Sequence, residues 1–117
     1  MTNNSLPLDR LFHSLADPTR RAVIERLARG PASVSELAPA TMSLPSFVQH
    51  LKVLEEAGLI RSTKSGRVRT CEIEPQALEA LEGWIAEQRR YWEARFDRLE
   101  AYLKELQSRE KDDDANG

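Results

Sequence analysis

Apolar residues recur at helical spacing along most of this chain, and one stretch switches to strand-like alternation. Leu8, Leu11, Phe12 and Leu15 predict a first short helix. Asp17-Pro18 restarts the chain. Asp17 suits an N-cap, and Pro18 suits the first helical position, where its missing N–H costs nothing. A second helix is expected from Pro18 to Arg29, with Val23, Ile24 and Leu27 inward and Gly30-Pro31 as its stop. Ser33 or Ser35 can cap a third, short helix through Glu36, Leu37 and Ala38. Ser43 caps a fourth that runs to about Ala57, with Pro45 in the tolerated first turn and Gly58 at the end. Phe47, Leu51 and Leu54 fall on one face of that helix.

After Gly58 the period changes. Leu59 to Ser65 and Val68 to Ile73 are rich in β-branched residues and predict two short strands. Ser65-Gly66-Arg67 is the turn between them, and Gly66 supplies the positive φ of a tight hairpin. Pro75 opens a final helix expected to reach about Gln107, roughly 50 Å at 1.5 Å per residue. Leu78, Ile85, Trp92, Leu99 and Leu106 repeat every seven residues along it, and Leu81, Phe96, Tyr102 and Leu103 widen the stripe. A lone helix cannot hide such a stripe. An interface between two copies is therefore expected, formed by Leu8, Leu11 and Phe12 with Leu78, Leu81, Ile85, Trp92, Phe96, Leu99 and Leu103. The expected divisions are residues 1–74, the long helix over 75–107, and a disordered acidic tail over 108–117 that contains Asp112-Asp113-Asp114.

Helix, helix, short helix, capped helix, hairpin, helix is the order of a winged helix-turn-helix. The expected class is mainly α with a β-hairpin wing (α+β) and a long C-terminal dimerisation helix. In that motif the fourth helix enters the major groove of double-stranded DNA. Its candidate DNA-contacting residues are Leu44, Pro45, Ser46, Gln49, His50 and Lys52. Gln49 can bond adenine bidentately, Ser46 can meet a base or a phosphate, and Lys52 is placed for phosphate. His50 borders the apolar face, so a hydrogen bond within the motif competes with DNA contact. On the hairpin, Arg61, Lys64, Arg67 and Arg69 form a basic set, with no acid between Arg61 and Cys71. Arg20 and Arg21 open the second helix, where cations oppose the helix dipole; that misfit hints at a phosphate or an acidic partner.

Net charge first argues the other way. The 117 residues carry 17 Lys plus Arg and 19 Asp plus Glu, a formal −2. The distribution reverses the inference. Arg20–Arg69 holds nine basic and four acidic residues, and residues 75–117 hold seven and eleven. A basic docking face and an acidic far end can coexist. The single Cys excludes a disulfide framework within the chain and any Cys-rich zinc module. No apolar run approaches ~18 residues, so no membrane span is expected. Met1-Thr2-Asn3-Asn4-Ser5 lacks a basic stretch followed by an apolar core, so no secretion signal is read, and the expected location is cytoplasmic. No enzyme is expected: the glycines form no phosphate cradle, and Cys71 and the two His have no supporting pattern.

The phrases SLADPTRRAVIERLARG, SVSELA, SLPSFVQHLKVLEEAGLI and KSGRVRTCEIEP together resemble the ArsR-type bacterial regulators over roughly Leu8 to Pro75. WIAEQRRYWEARFDRLEAYLKEL resembles a subgroup whose long last helix follows the wing. The resemblance implies a homodimeric repressor on a palindromic operator, released by a metal ion or another signal. Metal-sensing members place a Cys pair near the third helix, or Asp/His pairs on the last. Here the third-helix segment Ser33–Ala38 has no Cys and the last helix no His, so neither a metal site nor a cofactor is expected. Two other signals stand as alternatives: redox chemistry at Cys71, and a small-molecule inducer in an aromatic pocket at the dimer interface. A dimeric module that binds no DNA is the remaining reading.

Overall fold

The computed structural model describes residues 5–116. Met1–Asn4 and Gly117, parts of the expected leaderless N-terminus and acidic tail, lie outside the described residues. The chain divides into two units, residues 1–81 and residues 82–117.

In the first unit, α1 (Ser5–Ser14) and α2 (Pro18–Leu27) precede a two-residue strand β1 (Ala32–Ser33), α3 (Val34–Leu37) and α4 (Leu44–Glu56). The hairpin β2 (Ile60–Ser65) and β3 (Val68–Ile73) follows, and then α5 begins at Pro75. The caps are those the sequence predicts. The Asp17 carboxylate accepts from the Arg20 N–H, and the Ser43 hydroxyl from the Ser46 N–H. Ser33, rather than Ser35, caps α3. Its hydroxyl accepts from the Glu36 N–H while Glu36 reaches back to the Ser33 N–H, a reciprocal capping box. At the other end of α4, Leu59 N–H bonds Leu54 O at 3.0 Å and Gly58 N–H bonds Glu55 O at 3.0 Å. Those are the two bonds of a Schellman stop, and Gly58 sits at the left-handed position it needs, φ 82°.

The sheet order is β1-β3-β2, all antiparallel. Ser65 pairs with Val68, so the loop is the two residues Gly66-Arg67. Only Gly66 has positive φ, at 62°, the pattern of a type II′ hairpin turn. β1 was not predicted. Two residues show no period, and their partners Cys71 and Thr70 lie far off in sequence.

The core gathers Val23, Leu27, Phe47, Leu51, Leu54, Leu59 and Ile60. Each large aliphatic or aromatic side chain withdrawn from water there stabilises the fold by about 1.5–3 kcal/mol. Leu11 and Leu81 belong to this core as well, at 4% and 7% exposure. This corrects their assignment to an interface between copies. Both fill the interior of their own unit, because the start of α5 packs there through Ala77 and Leu81.

The second unit is helix throughout its described residues. α5 runs from Pro75 to Asn116, not to about Gln107. The stretch expected to be a disordered tail continues the helix as far as it is described. No Gly or Pro interrupts it after Gly83, and the i,i+4 pairs Glu100–Lys104 (3.7 Å) and Glu105–Arg109 (2.8 Å) support its later turns. Ile85, Trp92, Phe96, Leu99 and Leu103 are exposed.

Candidate nucleic-acid interface

Burial of Phe47, Leu51 and Leu54 fixes the rotation of α4 and so decides what it shows to solvent. Leu44, Pro45, Ser46, Gln49 and Lys52 are all exposed. The Ser43 hydroxyl donates to Ser46 Oγ at 2.9 Å, which leaves the Ser46 hydroxyl hydrogen available to an outside acceptor. The Gln49 amide has no hydrogen-bond partner among the described residues. Lys52 meets only Glu56, at 4.0 Å and exposed, a contact that restrains it little.

His50 is placed differently. It is half-buried, with Nδ1 3.2 Å from Arg20 Nη1 and 3.7 Å from Asp17 Oδ2. A guanidinium can only donate, so the nearer contact assigns Nδ1 as acceptor and puts the ring hydrogen on Nε2. His50 thus belongs to a junction inside the motif and not to the outward face. The same junction explains the misfit of Arg20 and Arg21. Arg20 Nε donates to Ser14 O at 2.6 Å, Arg20 Nη2 to His13 O at 3.1 Å, and Arg21 Nη1 to Leu15 O at 2.9 Å. The start of α2 is a poor place for cations, but it lies at the end of α1, where carbonyls lack helical partners. These arginines are therefore committed within the fold, and the hinted outside phosphate or acidic partner is not needed to account for them. The Asp17 carboxyl is held below its ordinary pKa, chiefly by the Arg20 N–H it accepts.

The four basic residues of the hairpin also separate. Arg61 lies 3.4 Å from Glu72 and 3.0 Å from Glu74, two acids that follow Cys71 in the chain. Arg69 donates to Ser62 Oγ at 3.0 Å, and Ser62 in turn donates to the Glu55 carboxylate. Among the described residues, the side chains of Lys64 and Arg67 make no hydrogen bond or ion pair, and both stand at the tip. The wing thus offers two uncommitted cations beside an exposed polar helix face, an arrangement that can bond a polyanion's phosphates while presenting an amide to its interior.

A helix-turn-helix domain family matches residues 15–63. The HTH-type transcriptional regulator Rv2034 of Mycobacterium tuberculosis is 47% identical over 74 residues, covering 62% of this chain and 69% of the relative. The crystal structure of an ArsR family transcriptional regulator superposes with a TM-score of 0.74 at 55% identity, covering 80% of this chain and 97% of that one. The chain belongs to the ArsR family. A homodimeric winged helix-turn-helix DNA-binding domain from Mycobacterium bovis shares the fold, with a TM-score of 0.59 at 24% identity, over 76% of this chain and 90% of that one.

This ArsR-family chain is thus a transcriptional regulator with a helix-turn-helix, and the relatives it matches are transcriptional regulators, not enzymes. Among its described residues no three His, Cys, Asp or Glu side chains gather as a metal site would require, and no helix is long and apolar enough to cross a membrane. Cys71 lies on β3 at 1% exposure. Burial pushes its thiol above the usual pKa, Glu55 adds to the shift, and Arg69 opposes it. A neutral thiol is a weaker nucleophile than a thiolate.

Proposed function

We propose that this ArsR-family protein is a homodimeric repressor of transcription, acting in the cytoplasm on a two-fold-symmetric operator. The observation that carries the reading is the outward face of α4, where Ser46, Gln49 and Lys52 stand exposed beside the unpaired Lys64 and Arg67 of the wing. Gln49 and Ser46 read base edges near the N-terminal end of the helix. Lys52, Lys64 and Arg67 bond phosphates and set register. Arg61 and Arg69 play a smaller part, because acids and hydroxyls of the wing already engage them.

The exposed seam Ile85, Trp92, Phe96, Leu99 and Leu103 supports dimerisation through α5, with Phe12 and Leu78 as further exposed apolar residues. Two copies of α4 would then enter successive major grooves about 34 Å apart. A protein seated across that length represses by occupancy.

The test is a gel-shift titration on a duplex enriched by the protein from a random-sequence pool. Gln49→Ala should cost about 1–3 kcal/mol at one or two base positions and little elsewhere. Arg67→Ala should weaken specific and scrambled duplexes alike and lower the salt slope by about one. Equal losses from both variants on both duplexes would remove base reading from Gln49.

A further inference from the structure

A groove of about 650 Å³ runs between α4 and the wing. It shares Leu44 and Lys52 with the exposed face of α4 but not Pro45, Ser46 or Gln49. Counted from Leu44 in steps of about 100° per residue, Val48 and Glu55 fall within roughly 40° of Leu44, whereas Pro45 and Gln49 lie near 100° and 140°. The groove therefore flanks the face assigned to base reading. Its apolar floor includes Val34, Leu44, Val48 and Val68, and the last three are exposed, Val48 at 44%.

The lining is selective in what it lacks. It contains no aromatic ring and no amide side chain. A planar heterocycle would find no aromatic ring to stack on and no side-chain amide to read its edge. The serines at one end are occupied, Ser33 in the capping box and Ser35 against Ser33 at 3.2 Å. Glu55, the one carboxylate present, is joined to Arg69 through Ser62. What remains is an aliphatic floor and three cations: Lys52, held only by its exposed 4.0 Å contact with Glu56, and the unpaired Lys64 and Arg67 at the wing tip. The other hollows differ. The one beside α1 is lined mainly by polar residues such as Asp9, Arg10 and His13. The one between α2 and α3 has both its charged groups committed, Arg26 to Gly30 O and Glu36 to the capping box.

The geometry points to a binding site for a medium-chain aliphatic carboxylate. The chain lies along Val34, Leu44, Val48 and Val68, and the head group meets Lys64 and Arg67. The groove has the size of an ordinary small-molecule site. Because the same two cations are assigned to DNA phosphate, an occupied groove excludes the duplex, and the acid is a releasing ligand. That last step rests on the function proposed above, whereas binding of the acid does not.

The experiment titrates decanoate into the full chain by calorimetry, below its micellar concentration, with 1-decanol and acetate as matched controls. One saturable decanoate site per chain is expected, at least tenfold tighter than 1-decanol, with no saturation by acetate. Val48→Asp and Val68→Asp, on separate elements, should each weaken decanoate at least tenfold while the circular dichroism spectrum is kept. The double variant Lys64→Gln, Arg67→Gln should shrink the preference over 1-decanol below threefold, and Leu99→Asp, on the separate α5 seam, should leave decanoate affinity unchanged even where it breaks the dimer. Absence of a saturable site, binding that survives both Asp variants, or binding lost with Leu99→Asp instead would each overturn the site. In parallel gel shifts, decanoate should release the enriched duplex. A duplex that stays bound while calorimetry shows the acid bound overturns the releasing role. Failure to bind any duplex, with decanoate binding intact, sinks the DNA reading and supports the acid site.

Discussion

α4 and the part of α5 beyond Leu81 are both amphipathic helices with large apolar residues three and four apart, yet they end in opposite environments. Phe47 is at 0% exposure, whereas Phe96, of the same residue type, is at 63%. Periodicity says that a stripe must be covered; it does not say by what. Around α4 the chain supplies its own cover from α2, the hairpin and the start of α5. Residues 82–116 are a single helix, and the proposed function assigns the cover of its stripe to a second copy of the chain.

Core substitution should separate the two stripes most strongly. Phe47→Ala should cost about 3–5 kcal/mol of stability in chemical denaturation, the usual range for emptying an aromatic core site. A loss below about 1 kcal/mol would mean that α4 is seated less firmly than its burial indicates. Leu99→Asp should instead leave the denaturation of the first unit nearly unchanged and convert the protein to monomer in sedimentation. Affinity for a two-half-site duplex should fall about 100-fold, as expected when two linked contacts become independent. A variant that still sediments as a dimer would move the interface off this seam.

Smaller effects test how α4 is held. Ser43→Ala should destabilise the first unit by about 1 kcal/mol, and Ser43→Gly by only a few tenths. The weakest expected effect is acid sensitivity. The Asp17 and Glu36 carboxyls are both held below their ordinary values of 3.8 and 4.5, chiefly by the backbone N–H groups they accept, from Arg20 and Ser33 respectively. The folded state then binds fewer protons than the unfolded one in that range. Their contribution is present above the unfolded values and is lost as pH falls through the depressed folded ones. Denaturation midpoints compared at pH 7 and pH 3 should fall less in Asp17→Asn, which keeps a capping oxygen but cannot titrate. An unchanged pH response would show that the cap at Asp17 is not coupled to its charge.

Features within one element were legible in the sequence: the caps at Asp17, Ser33 and Ser43, the Schellman glycine, the hairpin turn and the buried face of α4. Each is set by neighbours a few residues away. Features that depend on distant partners were not. β1 exists only because Ala32 and Ser33 meet Cys71 and Thr70. The sequence singled out Arg20 and Arg21 as a dipole misfit, but their carbonyl partners sit across a helix junction. Leu11 and Leu81 belonged by period to the exposed stripe and went inward because the chain packs α1 and the first turns of α5 against the core. At the candidate interface, the surface character of Gln49 and Lys52 was readable. The division of the wing cations into Arg61 and Arg69, engaged, and Lys64 and Arg67, unengaged, follows from side-chain pairing that spacing does not encode. Val48 stands about 100° from Phe47 and is therefore off the apolar face, but only the folded wing turns it into the wall of a groove.

Arg20 also limits how this sequence can drift. One planar guanidinium meets Ser14 O, His13 O and the His50 ring from three different nitrogens. Lysine would keep the charge but concentrate its donors on one tetrahedral atom, which cannot reach three separated acceptors. An exchange that is neutral on most surfaces would here release one end of α1 and the ring on α4 together. The position is open to Lys only in a descendant that has already re-angled those helices, so the junction confines its own evolutionary neighbourhood.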